Sequence, residues 1–119
     1  DEGAFDGWAA TLVNPCYLVR HPTGGDLLWD TGLPDSLHGA AALEQPPFTM
    51  SVPVRLADQL AQLGLAPADI EFVSVSHSHS DHVGNLEAFA ASTWIVDADE
   101  RAFMFRPEAR AEAGFAAYD

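Results

Sequence analysis

His77-Ser78-His79-Ser80-Asp81-His82 places three of the chain's five histidines and one carboxylate within six residues. Imidazole and carboxylate together are ligands for zinc, iron, manganese or cobalt, whereas a calcium site would be built from oxygen. His77 and His79 are two apart, so in an extended segment both project from one face and suit two nitrogen ligands on one ion. The chain must then turn, sending Asp81 and His82 the other way, towards a second cation, with Gly84 permitting the sharp exit. Cys16 is the single cysteine, which excludes a thiolate-rich structural zinc site and leaves an open site that keeps a water or hydroxide. That is hydrolytic chemistry. A solvated loop with coincidental histidines is the competing reading; it suits the isolated His21 and His38, not four candidate ligands at one strand end.

The elements that must position this cluster follow from periodicity and turn chemistry. Thr11–Arg20 and Leu27-Leu28-Trp29, on either side of Thr23-Gly24-Gly25-Asp26, form a predicted hairpin ending at Asp30-Thr31-Gly32. Residues 33–50, with Pro34, Gly39 and Pro46-Pro47, lack clean periodicity and read as a surface loop. Ser51 is placed to cap a helix whose first turn tolerates Pro53, whose stripe is Leu56, Leu60 and Leu63, and which stops at Gly64. Ala66–Asp69 is a connector, and Glu71–Ser76 is a short strand leading into the histidines. A short helix at Leu86–Phe89, a strand at Thr93–Val96 and a helix Ala98–Phe105 capped by Asp97 complete the described order. Strand and helix alternate from Ser51 onward, which predicts an α/β layered fold with parallel neighbours. The cluster then falls at the carboxyl end of a strand, where open α/β sheets place ligands.

Composition narrows the partners. The 119 residues suffice for one domain with a core, at 48% hydrophobic and 19% charged. Five arginines, no lysine and a net charge of -13 repel a phosphate backbone, so nucleic acid is an unsuitable partner. No apolar run reaches the roughly 18 residues of a membrane span. Cys16 lies in the apolar Pro15-Cys16-Tyr17-Leu18-Val19 and reads as a small buried hydrophobe rather than a nucleophile. Trp8, Phe48, Met50, Phe103 and Met104 are apolar candidates for a substrate wall, but such residues belong to the core more often, so none is assigned to one.

His-x-His-x-Asp-His followed by Gly84 resembles the signature of the metallo-β-lactamase superfamily of hydrolases, and Asp30-Thr31-Gly32 resembles its earlier Asp-x-Gly element. Asn14–Pro22, Leu28–Leu33, Leu60–Asp69 and Trp94–Asp97 are similar to the N-acyl-homoserine lactonase, or quorum-quenching, branch. The resemblance implies roughly the first half of an αββα sandwich, with two Zn2+ ions (Fe, Mn or Co being alternatives) in the whole domain. His77 and His79 would hold the first ion, and Asp81 and His82 the second. Asp30 would stand behind them, holding the loop by hydrogen bonds, unless it is simply a strand-end turn aspartate. A metal-activated hydroxide would open the lactone ring of a small-molecule substrate, with Asp81 passing a proton to the leaving alkoxide. The family completes its sites with downstream histidines and a bridging aspartate, and no histidine follows His82. Residues 1–119 are therefore expected to be a partial domain lacking the first strand and the C-terminal half. Without a bridging carboxylate two cations would repel at the roughly 3.5–4 Å of a two-metal site, so the 119 residues are expected to bind at most one ion weakly and not to turn over.

Three functions compete on these residues. A metal-dependent lactonase leads; a thioesterase of the glyoxalase II kind, or another hydrolase of the fold, shares the ligand set, though the acidic charge disfavours an RNA phosphodiesterase. A non-catalytic metal-binding module is the alternative of another class. The chain opens on Asp1 and not Met, which reads as a processed product or a piece of something longer; related lactonases often carry signal peptides, so the expectation leans to the periplasm or secretion.

Overall fold

A computed structural model of the chain describes residues 7–108. In chain order these form β1 (Tyr17–His21), β2 (Gly25–Trp29), β3 (Leu43–Gln45), β4 (Phe48–Met50), α1 (Leu56–Gln62), β5 (Phe72–Ser74), α2 (Ser80–Val83), β6 (Thr93–Ile95) and α3 (Ala98–Met104). The main sheet runs β1-β2-β5-β6. β1 and β2 make the expected antiparallel hairpin, with Tyr17 opposite Trp29 and His21 opposite Gly25. β5 then adds parallel to β2, with Leu28 opposite Val73, and β6 parallel to β5, with Val73 opposite Trp94.

That register sorts the side chains. Leu18, Leu28, Val73 and Trp94 share one face, where Leu28 and Val73 join Leu56 and Leu60 of α1, Met104 of α3, and Leu86 and Phe89 in the core. Tyr17, Val19, Leu27, Trp29, Phe72 and Ile95 lie on the opposite face, and Tyr17 and Ile95 are 58% and 50% exposed there. The sheet is thus apolar on both sides, as parallel sheets are when both faces are to be covered. We expect the 119-residue chain to enhance 1-anilinonaphthalene-8-sulfonate fluorescence and to self-associate as its concentration rises in sedimentation velocity.

Several boundaries depart from the periodicity. The first strand begins at Tyr17 rather than Thr11. Residues 33–50 are not all loop: β3 and β4 pair antiparallel across Pro46-Pro47, in three-residue strands too short to show an alternation. Ser51 does not cap α1, which starts only at Leu56 with Pro53 ahead of it. The cap comes from 21 residues upstream, where the Asp35 carboxylate accepts Leu56 N at 2.8 Å and Ala57 N at 3.3 Å. Asp35→Ala should therefore lower stability by about 1 kcal/mol in urea denaturation, the usual worth of an N-cap.

α1 does end as predicted. Gly64, at φ +75°, follows the last turn, Gly64 N donates to Ala61 O and Leu65 N to Leu60 O, the paired bonds of a Schellman stop. Leu63 faces outward, so only Leu56 and Leu60 of its stripe reach the core. Asp97 caps α3 through Asp99 N and Glu100 N, while Leu86–Phe89 is a 3-10 turn. Among the described residues no helix is long and apolar enough to cross a membrane.

Candidate metal centre at the strand ends

The histidines leave β5 at its carboxyl end, beside the carboxyl end of β2, so the parallel pairing brings Asp30 and the cluster together. Asp30 is 5% exposed and takes φ +62°, a left-handed conformation that aspartate tolerates better than most residues. Its Oδ1 accepts Ser76 N at 2.7 Å. Its Oδ2 accepts Ser76 Oγ at 2.9 Å and lies 2.9 Å from His82 Nδ1.

Counting protons then fixes two tautomers. The single hydroxyl proton of Ser76 goes to Asp30, so His77 Nδ1, 3.0 Å from Ser76 Oγ, must be the donor in that contact. A carboxylate only accepts, so His82 Nδ1 must donate to Asp30. In the neutral ring, a proton held on Nδ1 leaves an Nε2 lone pair, the form in which a histidine can ligate.

His82 does not diverge from the first two histidines as expected. The single helical turn α2 and the Asp30 bond fold it back, leaving its ring centroid 4.1 Å from that of His77, while His77 and His79 meet edge-on at 4.5 Å. Asp81 Oδ2 stands 3.5 Å from His82 Nε2, close to the spacing of adjacent ligands whose bonds to a zinc ion are about 2.0–2.2 Å. The same oxygen accepts Asn14 Nδ2 at 2.6 Å. Glu100, from the first turn of α3, accepts Ser78 N at 2.6 Å between the two leading histidines.

The donor chemistry fits a first-row divalent cation, and the Asp81–His82 pair fits one in spacing. Among the described residues, however, no three histidine, cysteine, aspartate or glutamate side chains converge to hold an ion. Ser76, Asn14 and Glu100 were assigned no role from the sequence because each is an ordinary polar residue; the local signals were Ser76's place directly before the cluster and Asn14's at the head of the Asn14–Pro22 stretch.

Gly84 is needed for a reason other than a sharp exit. Its φ of -62° and ψ of -18° suit any residue, but a Cβ there would lie 2.6 Å from Gly32 O and overlap Pro34 N. His21 and His38 stay outside the cluster, the first near Thr23 N and the second near Val52 O. Met104 is core, whereas Trp8, Phe48 and Phe103 are exposed, which the expectation of a core role missed. A cavity of about 140 Å³ between β5, β6 and α3 has Val75, Trp94, Arg101 and Phe105 in its wall and no histidine.

Cys16 packs against the core beside Gly32. Burial first, then the negative charges of Asp30 and Asp35, push its thiol up to about 11. Its reaction with a disulfide reagent should be slow at pH 8 and rise about tenfold per pH unit towards 11, as the thiolate forms. The neutral thiol favours the fold, so this contribution is complete below pH 9.0 and is lost as the pH climbs through about 11.

An α/β layer pair with an imidazole-rich loop at the carboxyl ends of its parallel strands has the architecture of a metallohydrolase. Residues 10–119 match the profile of the Metallo-beta-lactamase superfamily, and the chain belongs to that superfamily of generally metal-dependent hydrolases. The N-acyl homoserine lactonase AiiB of Agrobacterium fabrum is 36% identical over 96 residues, covering 76% of this chain and 34% of the relative. The N-acyl homoserine lactonase of Bacillus cereus is 32% identical over 101 residues, covering 78% and 40%. A solved N-acyl homoserine lactone hydrolase, with the product N-hexanoyl-L-homoserine bound at its catalytic metal center, superposes with a TM-score of 0.61 at 32% identity, covering 78% of this chain and 40% of that one. The chain thus spans a third to two-fifths of the length of these relatives. The helix-backed sheet is one α and one β layer of the metallo-β-lactamase αββα fold.

Proposed function

We propose that this chain is part of a metal-dependent hydrolase that opens the lactone ring of N-acyl homoserine lactones. The observation that carries the reading is the anchoring of His77 and His82 through Nδ1, by Ser76 and Asp30, which leaves both Nε2 atoms as donors. The likeness to lactonases across three-quarters of the chain supports the substrate class. His77 and His79 would hold one cation and Asp81 and His82 another, with zinc first and iron, manganese or cobalt as alternatives. Such an ion supplies Lewis acidity and lowers the pKa of water.

The chain's own residues do the rest. Asp30 and Ser76 hold the imidazoles in their ligating tautomers, and Asn14 turns the Asp81 carboxylate towards His82. Asp81 would take up a proton from the attacking water and pass it to the alkoxide oxygen released from the lactone. In the 119 residues alone we expect at most one weak cation site and no turnover. Calorimetric titration with Zn2+ checks this, and two tight sites would refute it. The substrate class is tested in protein expressed from the entire open reading frame, by comparing hydrolysis of N-hexanoyl homoserine lactone with that of an acyl-glutathione thioester. A thioester rate equal to or above the lactone rate would overturn the lactonase assignment in favour of a glyoxalase II-like one.

A further inference from the structure

Asn85 lies three residues beyond His82, and its side chain is committed to a single distant loop. Its Nδ2 donates to Thr31 O at 2.6 Å and Leu33 O at 2.8 Å, and its Oδ1 accepts Asp35 N at 2.7 Å. Its backbone N donates to Thr31 Oγ1 at 3.2 Å. Thr31, fully buried, turns these bonds back onto the cluster: its N and Oγ1 donate to His82 O at 2.7 and 3.0 Å. The neighbouring Asp30 grips the same histidine at Nδ1. His82 is therefore held at its ring and at its carbonyl by two consecutive residues, and Asn85 is what fastens their loop.

We propose that Asn85 is a positioning residue for His82, acting through Thr31 and Asp30; as a statement about a metal ligand it rests on the function proposed above. Only an amide of this length serves. It offers two donors and an acceptor in one plane, whereas aspartate of the same shape would set an acceptor against two carbonyls, and glutamine would carry the amide one methylene beyond the positions at which Thr31 O, Leu33 O and Asp35 N are met. A network of this kind fails as a unit when one member is left unpaired.

The test is Asn85→Asp in the 119-residue chain, read first without metal. Long-range 1H–15N correlation spectra report which ring nitrogen of His82 carries the proton. We expect the wild type to show the Nδ1–H form, and Asn85→Asp to show a mixture in a protein that still melts cooperatively. Co2+ titration followed by visible absorbance should then weaken about tenfold or more, the usual effect of disturbing a residue that supports a ligand. Thr31→Val provides a second variant: it keeps the Asn85 side-chain bonds and the Thr31 N bond to His82 O, but removes the Oγ1 bonds to His82 O and from Asn85 N, and it should shift the same tautomer to a smaller extent. An unchanged His82 tautomer in a folded Asn85→Asp protein, or in Thr31→Val if that variant alone folds, overturns the proposal. A His82 tautomer that responds to both substitutions upholds the role of Asn85 even where the 119 residues take up no Co2+; the metal reading is overturned only if protein expressed from the entire open reading frame takes up none.

Discussion

Asp30→Asn is expected to lower Co2+ affinity by about 10- to 100-fold while leaving a folded protein. The replacement keeps the size of the side chain and tolerates φ +62°. It cannot keep the proton pattern. One carboxylate now accepts Ser76 N, Ser76 Oγ and His82 Nδ1, and an amide must place a donor NH2 where one of its oxygens stood. Either Ser76 Oγ loses its acceptor, which frees His77 to change tautomer, or His82 turns its ring and protonates Nε2. Urea denaturation should show a loss of about 1–3 kcal/mol, the cost of unpairing a buried polar group. Asp30→Ala should lose more, because the same groups are orphaned and the left-handed backbone gains a residue that disfavours it. Wild-type Co2+ affinity in Asp30→Asn would show that Asp30 is only a turn aspartate.

Gly84→Ala is expected to be the more damaging of two alanine substitutions at glycine, although its backbone is the unstrained one. The new methyl would meet Gly32 O at 2.6 Å and the Pro34 ring, both belonging to a loop that cannot swing aside. Gly84 N also donates to Gly32 O at 2.9 Å, so relief of the clash stretches that bond. Overpacking of this kind costs about 1–3 kcal/mol or more, and backbone against backbone lies at the upper end. Gly64→Ala meets nothing within 4 Å and strains only a positive φ, at about 1 kcal/mol. Denaturation midpoints for the two variants check the order; Gly64→Ala being the less stable would contradict it. Gly84→Ala should also abolish Co2+ binding, since His82 sits on the displaced turn.

The candidate site was legible as a cluster because it is concentrated: six consecutive residues carry His77, His79, Asp81 and His82, and their strand could be placed by its apolar run. Asp30 was legible as a strand-end residue beside a glycine. The residues that hold these groups were not, because the hydrogen bonds that give them their role join partners 46 to 54 positions apart and each looks like a common turn former. Ser76, Thr31 and Asn85 acquire meaning only when β2 and β5 pair. The folding back of His82 was missed for the same reason, since the Asp30 contact that pulls it in is long-range. The α1 cap was misplaced because a nearby serine was available while the acceptor used, Asp35, lay in the preceding loop. β3 and β4 were invisible because three residues are too few to establish a period.

On the proposed function, the stitching of the Asp30–Leu33 loop to the His82–Asn85 turn would make cation affinity a gauge of folding. Neither loop has this shape until the long excursion between β2 and β5 is closed, so the unfolded chain lacks the site and any ion held there favours the native state in proportion to its occupancy. At a free cation concentration a hundred times the dissociation constant, that linkage is worth about 2.7 kcal/mol. Chelation should therefore lower the thermal midpoint, and every substitution that loosens the stitching should lower metal-free stability and cation affinity together.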